Sequence, residues 1–352
     1  MKKKPKKRIS IVIYIVFFVL LIAGSGFVFC YNALTPVQST SEEFVLVVET
    51  GDTAKSVSAY LADNGVIKNA TIAYFYVKES GLSAIKAGTY RLDKSWSVKE
   101  IFTLLTDANG AENTDVKVTI PEGLWAKEIA ARIAAVTNVT ADELLALWND
   151  ETYLRSLMDK YPFITEDMFN DQLKVKLEGY LFPETYYFYQ NATAQGITEK
   201  ILDQTNIIYN KYLDAINASD YSVHEIFTLA SMTQFEAGND TDNKIVSGIW
   251  FNRLEAGMPL QSSVTVCYAL YDYEHWHSCE VNTDLDSPYN TYKYSGIPIG
   301  PIDNPGESAI ASVLYPTKTD YYFFIADVYG DGTIYYAKTY AEHQANINKY
   351  LK

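Results

Sequence analysis

The first apolar stretch of the chain is continuous and predicts a membrane-spanning helix. Residues 9–31 contain no charged side chain and are dense in Ile, Val, Phe and Leu. At 1.5 Å per residue, a helix of this length spans the roughly 30 Å hydrocarbon core of a bilayer. Residues 1–8 carry six basic side chains, and no charged residue follows the stretch until Glu42. The pattern therefore predicts a single-pass anchor whose N-terminus stays cytoplasmic.

A cleaved signal peptide is the alternative interpretation of this stretch. Its apolar region would be unusually long, and no small-x-small cleavage site follows Gly26. A lipoprotein site at Cys30 is disfavoured because Phe27–Phe29 stands where small residues are required. We therefore expect a cell-membrane protein with a large exoplasmic part. Its first segments are a cytoplasmic tail at 1–8, the membrane helix at 9–31 and a polar tether at 32–43.

After the tether, an alternating apolar run followed by a helical pattern occurs twice, at an offset of 72 residues. Each alternating run ends in glycine, at Gly51 and Gly123. Two copies are too few for a solenoid, so each copy is expected to form a compact strand–helix–helix unit. The predicted elements are strands 44–51, 88–92 and 115–123 and helices 55–62, 70–79, 127–134 and 140–149.

Helix-capping and turn motifs mark the boundaries of the predicted elements in the second half of the chain. Ser222 with Glu225, and Thr339 with Glu342, form capping-box patterns that mark helix starts. A Tyr-Gly-Asp-Gly turn separates two short β-like runs, which predicts a hairpin. The expected elements are helices at 198–216, 222–238 and 242–256, a last helix from 339, and a hairpin of 321–326 with 333–337. The fold class that these elements predict is α+β.

The charge balance excludes one class of partner. The 352-residue chain has 43 acidic and 29 basic side chains, a net charge of −14. With the six basic residues of the tail set apart, 23 basic residues face 43 acidic ones, a balance of −20. The chain after the basic tail is strongly acidic and repels the phosphate backbone of nucleic acids. Nucleic acid is therefore not an expected partner.

The cysteines leave two interpretations open. Outside the membrane, Cys267 and Cys279 either pair as a disulfide that closes a loop or remain free thiols. His275 and His277 lie between them, but this spacing matches no standard zinc motif. We therefore expect no metal and no cofactor.

The candidate chemistry rests on carboxylates. The chain has no Gly-x-Ser-x-Gly motif, no Gly-rich phosphate loop, and only four histidines. Glu236 shares a helix face with Leu229 and Thr233, the face that points inward, and it falls in the last helical turn. Burial and the negative end of the helix dipole both raise the pKa of such a carboxyl, which suits proton donation to a leaving oxygen. The alternative is an ordinary glutamate exposed at a frayed helix end.

Polar and aromatic residues after Glu236 suggest a sugar-binding surface. Asn252 falls on the apolar face of its helix, where a buried amide needs a partner such as a ligand hydroxyl. Aromatic rings interleaved with amides suit sugars, which have apolar faces and hydroxyl edges, although tyrosine-rich cores look similar. The candidate substrate-binding residues are Asn252, Arg253, Gln261, Tyr289, Asn290 and Tyr292, with Glu184 as the best available second acid.

Several runs of sequence, in order along the exoplasmic part, carry a family resemblance. They are residues 86–90, 120–123, 177–186, 229–236, 251–254, 257–261, 289–292, 296–306 and 342–343. At these residues the chain resembles the endolytic murein transglycosylases, the MltG/YceG-like family of bacterial inner-membrane proteins. The resemblance implies a membrane anchor, a LysM-like module at 44–110, a connecting αβ region at 111–220 and a YceG-like mixed α/β catalytic module at 221–352.

The resemblance also implies an activity and partners. The activity is lytic, non-hydrolytic cleavage of MurNAc–GlcNAc bonds inside nascent peptidoglycan strands, which leaves 1,6-anhydro-MurNAc ends, and the expected protein partners are the cell-wall synthesis machinery. The family's catalytic glutamate, the second acid of a Glu-x-Glu pair, falls on Glu236. The chain departs from the family's pattern twice, with Gln234 at the first acid of that pair and Ser263 in place of an aspartate.

Two other functions follow from the same residues. A glycan hydrolase would use Glu236 together with a second carboxylate, for which Glu184 is the candidate, because hydrolysis requires a base or a nucleophile across the sugar. A non-catalytic peptidoglycan-binding scaffold is motivated by Gln234 and Ser263. The chemical ends of the products distinguish a lyase from a hydrolase. A scaffold would keep its glycan binding and its cellular role when Glu236 is replaced.

Overall fold

The computed structural model describes residues 6–49, 51–107, 110–111, 115–271, 276–327 and 331–351. Among these, residues 6–16, 19, 22–23, 115 and 276–278 are described by their backbone alone. Residues 1–5 of the predicted tail and His275 therefore lie outside the described residues. The chain divides into two compact units, Met1–Asp115 and Val116–Lys352.

The first unit contains a long helix followed by a small α/β module. Its elements are α1 (Lys6–Leu34), β1 (Glu43–Val48), α2 (Ala54–Asp63), α3 (Ala70–Glu79), β2 (Gly88–Asp93) and α4 (Val98–Thr106). Strands β1 and β2 pair antiparallel, with Glu43 opposite Asp93. The alternating residues Leu46, Val48, Tyr90 and Leu92 are buried in the core of this module. No helix among the described residues is both long enough and apolar enough to cross a bilayer.

The second unit is mostly helical and has two small sheets. Strands β3 (Asp115–Thr119) and β4 (Thr185–Tyr189) pair with each other, and β5 (Phe323–Ala326) pairs antiparallel with β6 (Ile334–Ala337). Its helices are α5 (Ala126–Ala134), α6 (Ala141–Asn149), α7 (Glu151–Ser156), α8 (Ala194–Lys211), α9 (Leu213–Asn217), α10 (Val223–Glu236), α11 (Asp240–Glu255), α12 (Ser263–Leu270), α13 (Trp276–Val281), α14 (Glu307–Leu314) and α15 (Tyr340–Tyr350).

One hydrophobic core extends through this unit, from β3 to α14. Tyr180 lies at its centre, where its ring stacks on Phe163 with centroids 5.8 Å apart and on Phe227 of α10 at 4.9 Å. Each buried aromatic ring of this size stabilises the fold by roughly 1.5–3 kcal/mol. Residues before and after position 220 therefore share one core, which holds α10 rigidly.

Small and hydroxyl side chains bring α10, α11 and α14 close together. The hydroxyl of Ser247 on α11 bonds Thr233 of α10 at 3.2 Å and Ser312 of α14 at 2.9 Å. At Gly248, a Cβ atom would lie 2.2 Å from the carbonyl oxygen of Thr317, so only glycine fits. These contacts fix the position of the helix that carries Glu236.

Candidate active site

Glu236 is the last residue of α10, and the chain turns sharply after it. The helix begins with the predicted capping box, in which Ser222 and Glu225 bond each other's backbone N–H groups. Ala237 is extended, with φ −138°, and Asn239 already caps α11 by accepting bonds from the N–H groups of Thr241 and Asp242. The carboxyl of Glu236 is thus placed at the junction of two packed helices.

Among the described residues, one side chain forms a hydrogen bond with the carboxyl of Glu236, and the sequence analysis missed it. Ser262 Oγ donates a hydrogen bond to Glu236 Oε1 at 2.7 Å. Ser262 is 2% exposed. Its N–H donates to Thr291 Oγ1 at 3.0 Å, and its carbonyl accepts from Thr265 Oγ1 at 2.7 Å. The hydroxyl that bonds Glu236 is therefore held by a buried network rather than by a mobile loop.

The surroundings of Glu236 favour the protonated acid. Burial raises the pKa of Glu236 above its ordinary value, in the direction predicted from the sequence. The hydrogen bond from Ser262 and the positive charge of Arg253 oppose this rise in part, because both favour the carboxylate. The site can therefore hold a proton on Glu236 and also stabilise the carboxylate that remains when the proton leaves.

Arg253 and Asn252 on α11 bind main-chain carbonyls. The Arg253 guanidinium donates to the carbonyls of Tyr322 at 2.6 Å, Leu260 at 2.6 Å and Pro259 at 3.2 Å. Asn252 Nδ2 donates to the carbonyls of Thr319 and Tyr321 at 2.9 and 2.8 Å. The buried amide thus has protein partners, and both side chains fix the loops around the site. Substrate contact by either one stays a prediction.

Gln261 and Tyr292 lie beside the Ser262 network. Gln261 is exposed and has a left-handed backbone, with φ 51°, and its N–H donates to the Thr291 carbonyl at 3.1 Å. Tyr292 is half-buried, and its pKa is raised by burial and then by the nearby charge of Glu236. Of the predicted sugar-binding residues, these two have side chains that reach the surface and neighbour Glu236 or Ser262.

Tyr289 and Asn290 support the loop that carries Tyr292. Asn290 is fully buried, and its Nδ2 donates to the carbonyls of Thr283 and Leu285, both at 2.8 Å. The Tyr289 hydroxyl accepts from the Lys174 N–H at 3.2 Å. These contacts define structural roles, and substrate contact by these residues also stays a prediction.

The acid that reaches α10 is Glu122 rather than Glu184. Glu184 is exposed, and its carboxylate accepts from the adjacent Thr185 N–H at 2.8 Å. By contrast, Gln234 Nε2 donates to Glu122 Oε2 at 3.3 Å, and Gln234 Oε1 accepts from the Gly306 N–H at 2.9 Å. Gln234, which stands at the family's first acid, therefore joins Glu122 to the loop before α14.

Two buried acids near this junction also escaped the sequence analysis. Glu178 is 1% exposed and accepts bonds from the Ala126 N–H, the Asn304 amide and the Tyr268 hydroxyl, and burial raises its pKa to about 8. Asp303 is 0% exposed, and neither carboxyl oxygen has a hydrogen-bond partner among the described residues. Burial, Glu178 and Glu122 raise its pKa well above its ordinary value. The available signal was an acid inside an apolar run at each position.

Cys267 and Cys279 form a disulfide. Cys267 on α12 is bonded to Cys279 on α13, so the disulfide interpretation is the one confirmed. Within the described ranges, no group of three His, Cys, Asp or Glu side chains is arranged to hold a metal ion. The disulfide ties the helix that follows Ser262 to its neighbour.

A cleft of about 760 Å³ lies at the opposite end of α10 from Glu236. Its lining includes Glu166, Asp167, Glu225 and His224. His224 is already bonded through its two ring nitrogens to the Tyr180 hydroxyl and the Ile299 carbonyl, both at 3.0 Å. The 14 residues of α10 separate this cleft from Glu236 by roughly 20 Å. Glu236, by contrast, has a pKa raised by burial and accepts a hydrogen bond from the buried Ser262 hydroxyl.

The second unit is mixed α/β, and its candidate site lies at Glu236, the last residue of α10. The chain belongs to the YceG-like family, whose sequence profile matches residues 46–349.

Curated relatives carry a common name. The chain is 35% identical over 334 residues to the endolytic murein transglycosylase of Bacillus subtilis, covering 94% of this chain and 91% of the relative. It is 30% identical over 358 residues to the endolytic murein transglycosylase of Streptococcus pneumoniae, covering 97% of this chain and 65% of that protein. The chain thus spans about two thirds of the pneumococcal relative.

A solved structure supports the fold. The crystal structure of a yceG-like protein from Listeria monocytogenes superimposes with a TM-score of 0.60 at 33% sequence identity, covering 87% of this chain and 99% of that one. The mixed α/β architecture is therefore shared with a solved member of the family.

Proposed function

We propose that this chain is a lytic transglycosylase that cleaves MurNAc–GlcNAc bonds inside nascent peptidoglycan strands and leaves 1,6-anhydro-MurNAc ends. The observation that carries the proposal is the Glu236 carboxyl, whose pKa is raised by burial and which is bonded to Ser262 at 2.7 Å. The names of the relatives support the same reaction and substrate.

One carboxyl suffices for this reaction. Protonated Glu236 donates its proton to the glycosidic oxygen as the bond from that oxygen to MurNAc C1 breaks and an oxocarbenium-like state develops. The MurNAc 6-hydroxyl oxygen then bonds C1, and its proton passes to the Glu236 carboxylate, which restores the acid. No water is consumed, so no second carboxylate is needed to activate one.

Ser262 and Arg253 stabilise the charged intermediate form of the acid. Between the two proton transfers Glu236 is a carboxylate, and this is the form to which the Ser262 hydroxyl donates and which the Arg253 charge favours. Arg253 does not need to move for this role, because main-chain carbonyls hold its guanidinium. Ser262 and Arg253 are therefore positioning and electrostatic residues in the proposed mechanism.

The predicted substrate-binding residues divide into two groups in this proposal. Tyr292 and Gln261 contact sugar directly, because both reach the surface next to the Glu236–Ser262 pair. Asn252, Tyr289 and Asn290 act indirectly by holding the loops, and Glu184 lies outside the reacting centre.

The membrane anchor and the N-terminal module complete the proposal. Residues 9–31 insert the chain in the cell membrane with the tail cytoplasmic, as their uncharged composition supports. The module at 44–110 is proposed to be a LysM-like unit that binds glycan. Membrane attachment would keep the enzyme beside newly made strands and the machinery that synthesises them.

Mass spectrometry of reaction products tests the function. The full chain in detergent, as wild type and as Glu236→Gln, is incubated with purified glycan strands. Anhydro-MurNAc ends from the wild type alone support the lyase. Reducing ends would instead establish a hydrolase, and strand binding without products from either protein would establish the scaffold.

A further inference from the structure

Two lysines converge on one aromatic ring at the end of α12 that is far from Ser262. Lys127 Nζ lies 3.9 Å from the centroid of the Tyr271 ring and donates to the Tyr271 carbonyl at 2.8 Å. Lys174 Nζ lies 5.3 Å from the same ring centroid. Trp125 stacks on Tyr271 with centroids 5.0 Å apart, which fixes the ring. We call Lys127, Lys174 and Tyr271 the lysine cluster.

Among the residues that the structure describes, no acid forms an ion pair with either lysine of the cluster. Within the described ranges, other lysines of this unit pair with acids, as Lys160 does with Glu199 and Lys293 with Asp286, but Lys127 and Lys174 do not. The carboxylate of nearby Glu128 accepts from the Trp125 N–H at 2.8 Å.

The two ammonium groups also repel each other. Burial and then the charge of Lys127 lower the pKa of Lys174. An anionic ligand would stabilise two half-buried cations that repel each other more than it would stabilise a cation that already has an acidic partner. In a chain of net charge −14, such a pair is an unusual local concentration of positive charge.

The lysine cluster is connected to the candidate active site by two short segments. Helix α12 runs for eight residues between Ser262, which bonds Glu236, and Tyr271, a length of about 12 Å. Lys127 follows Glu122 by five residues, and Glu122 is bonded to Gln234 of α10. Both segments place the lysine cluster a few sugar rings away from the reacting centre.

We propose that the lysine cluster is an anion subsite that binds a carboxylate of the peptide stem carried by the glycan strand. The proposal rests on the proposed function and adds a specificity for the stem. In a strand that carries stems, the lactyl carboxyl of MurNAc is consumed in the amide bond to the stem, so the free carboxylates along the strand are those of the stems. A lipid-linked pyrophosphate has the same charge chemistry but lies only at the strand end, far from an internal cleavage point.

Kinetics on two substrates test the subsite. The full chain in detergent is compared as wild type, Lys174→Met, Lys174→Arg and the matched control Lys200→Met, whose lysine lies 5.9 Å from the Phe188 ring centroid and is exposed. We expect Lys174→Met to raise KM about twofold to fivefold on strands that carry stems, as loss of one charge pair predicts. We expect kcat, and KM on strands whose stem carboxylates have been converted to amides, to be unchanged.

The other variants define what overturns the proposal. Lys174→Arg retains the charge and should stay near wild type, and Lys200→Met should have no effect. An equal rise of KM on the strands with amidated stems would show a merely structural role for Lys174 and would overturn the subsite, as would no change on either substrate.

A binding measurement separates this proposal from the proposed function. Glu236→Gln protein, which is not expected to turn over, is titrated by calorimetry with free stem tetrapeptide and, separately, with inorganic pyrophosphate. Binding of the tetrapeptide that Lys174→Met weakens supports the stem, even if the wild type makes no anhydro ends. Binding of pyrophosphate alone, weakened by Lys174→Met, would overturn the stem assignment and point to lipid-linked strands.

Discussion

Removal of the Ser262 hydroxyl should slow the reaction and move its pH dependence in a defined direction. Ser262→Ala deletes the only hydrogen bond that the structure shows on the Glu236 carboxyl, at 2.7 Å. This bond favours the carboxylate, as does the charge of Arg253, against the effect of burial. Without it, the pKa of Glu236 rises further, and the acid gives up its proton less readily.

The magnitude follows from the charge on the acceptor. A hydrogen bond to a charged group contributes about 1.5–3 kcal/mol. If that contribution is lost in the transition state, where the carboxylate is forming, kcat falls by about tenfold to 150-fold. The active form is the protonated acid, so activity is lost as the pH rises through the pKa of Glu236. Since Ser262→Ala raises that pKa, the alkaline limb of the kcat profile should move to higher pH.

The assay is the rate of anhydro-MurNAc formation between pH 5 and pH 9, measured by chromatography and mass spectrometry. Ser263→Ala is the matched control, because Ser263 is the next residue and is not bonded to Glu236. Ser262→Thr keeps the hydroxyl and should retain most of the rate. An alkaline limb that stays in place or moves to lower pH in a folded Ser262→Ala protein would refute the role assigned to this bond.

Three further predictions concern stability. Gln234→Glu places a second carboxyl beside Glu122, to which Gln234 Nε2 donates at 3.3 Å in the wild type. Like charges then repel, so the melting temperature at pH 8 should fall, and the fall should be smaller at high salt, which screens the repulsion; an unchanged melting temperature would contradict this. The folded state raises the pKa of Asp303, so the folded protein binds this proton more tightly than the unfolded chain, and stability is lost as the pH rises above about 4. Asp303→Asn should therefore have a higher melting temperature than the wild type at pH 8 but not at pH 4. A lower melting temperature at both pH values would contradict this. Cys267 and Cys279 close a loop of 12 residues, so replacing both with alanine should lower the free energy of unfolding by about 2–4 kcal/mol, as measured by denaturant titration, whereas equal midpoints would show that the bridge adds nothing.

Local signals predicted the helix starts well. The two predicted capping boxes, at Ser222 and Thr339, are both present, since the serine or threonine and the acid three residues later suffice to form them. The predicted helix at 198–216 is two helices, α8 and α9, because the chain departs from helical geometry at Tyr212. Helix starts depend on neighbouring residues, so a sequence pattern can reveal them.

Helix α12 shows where the pattern failed. Its residues include Val264, Thr265 and Val266, which are β-branched and do not favour a helix, and no helix was predicted there. The disulfide to α13 and the buried hydroxyl network at Ser262 and Thr265 hold it. Tertiary contacts of this kind override local propensity, and the sequence pattern gives no sign of them.

Only those features of the site that lie within a single helix could be predicted from the sequence. Periodicity and helix position identified Glu236 and the direction of its pKa shift. Its donor Ser262 comes from a different segment, 26 residues away in the chain, and Glu122 reaches Gln234 across 112 residues. Asn252 looked like a ligand donor because its two carbonyl partners lie 67 and 69 residues further on. Long-range partners decide which polar residue is free for substrate.

The contacts of Arg253 bear on how this protein can vary in evolution. Its guanidinium holds three loop positions, 259, 260 and 322, entirely through main-chain carbonyls. Every residue type offers that carbonyl, so side chains at these positions can change without loss of the anchor. A change of Arg253 itself would release all three positions at once and leave three acceptors unsatisfied. Substitutions are therefore tolerated at the three loop positions, whereas Arg253 itself is strongly constrained.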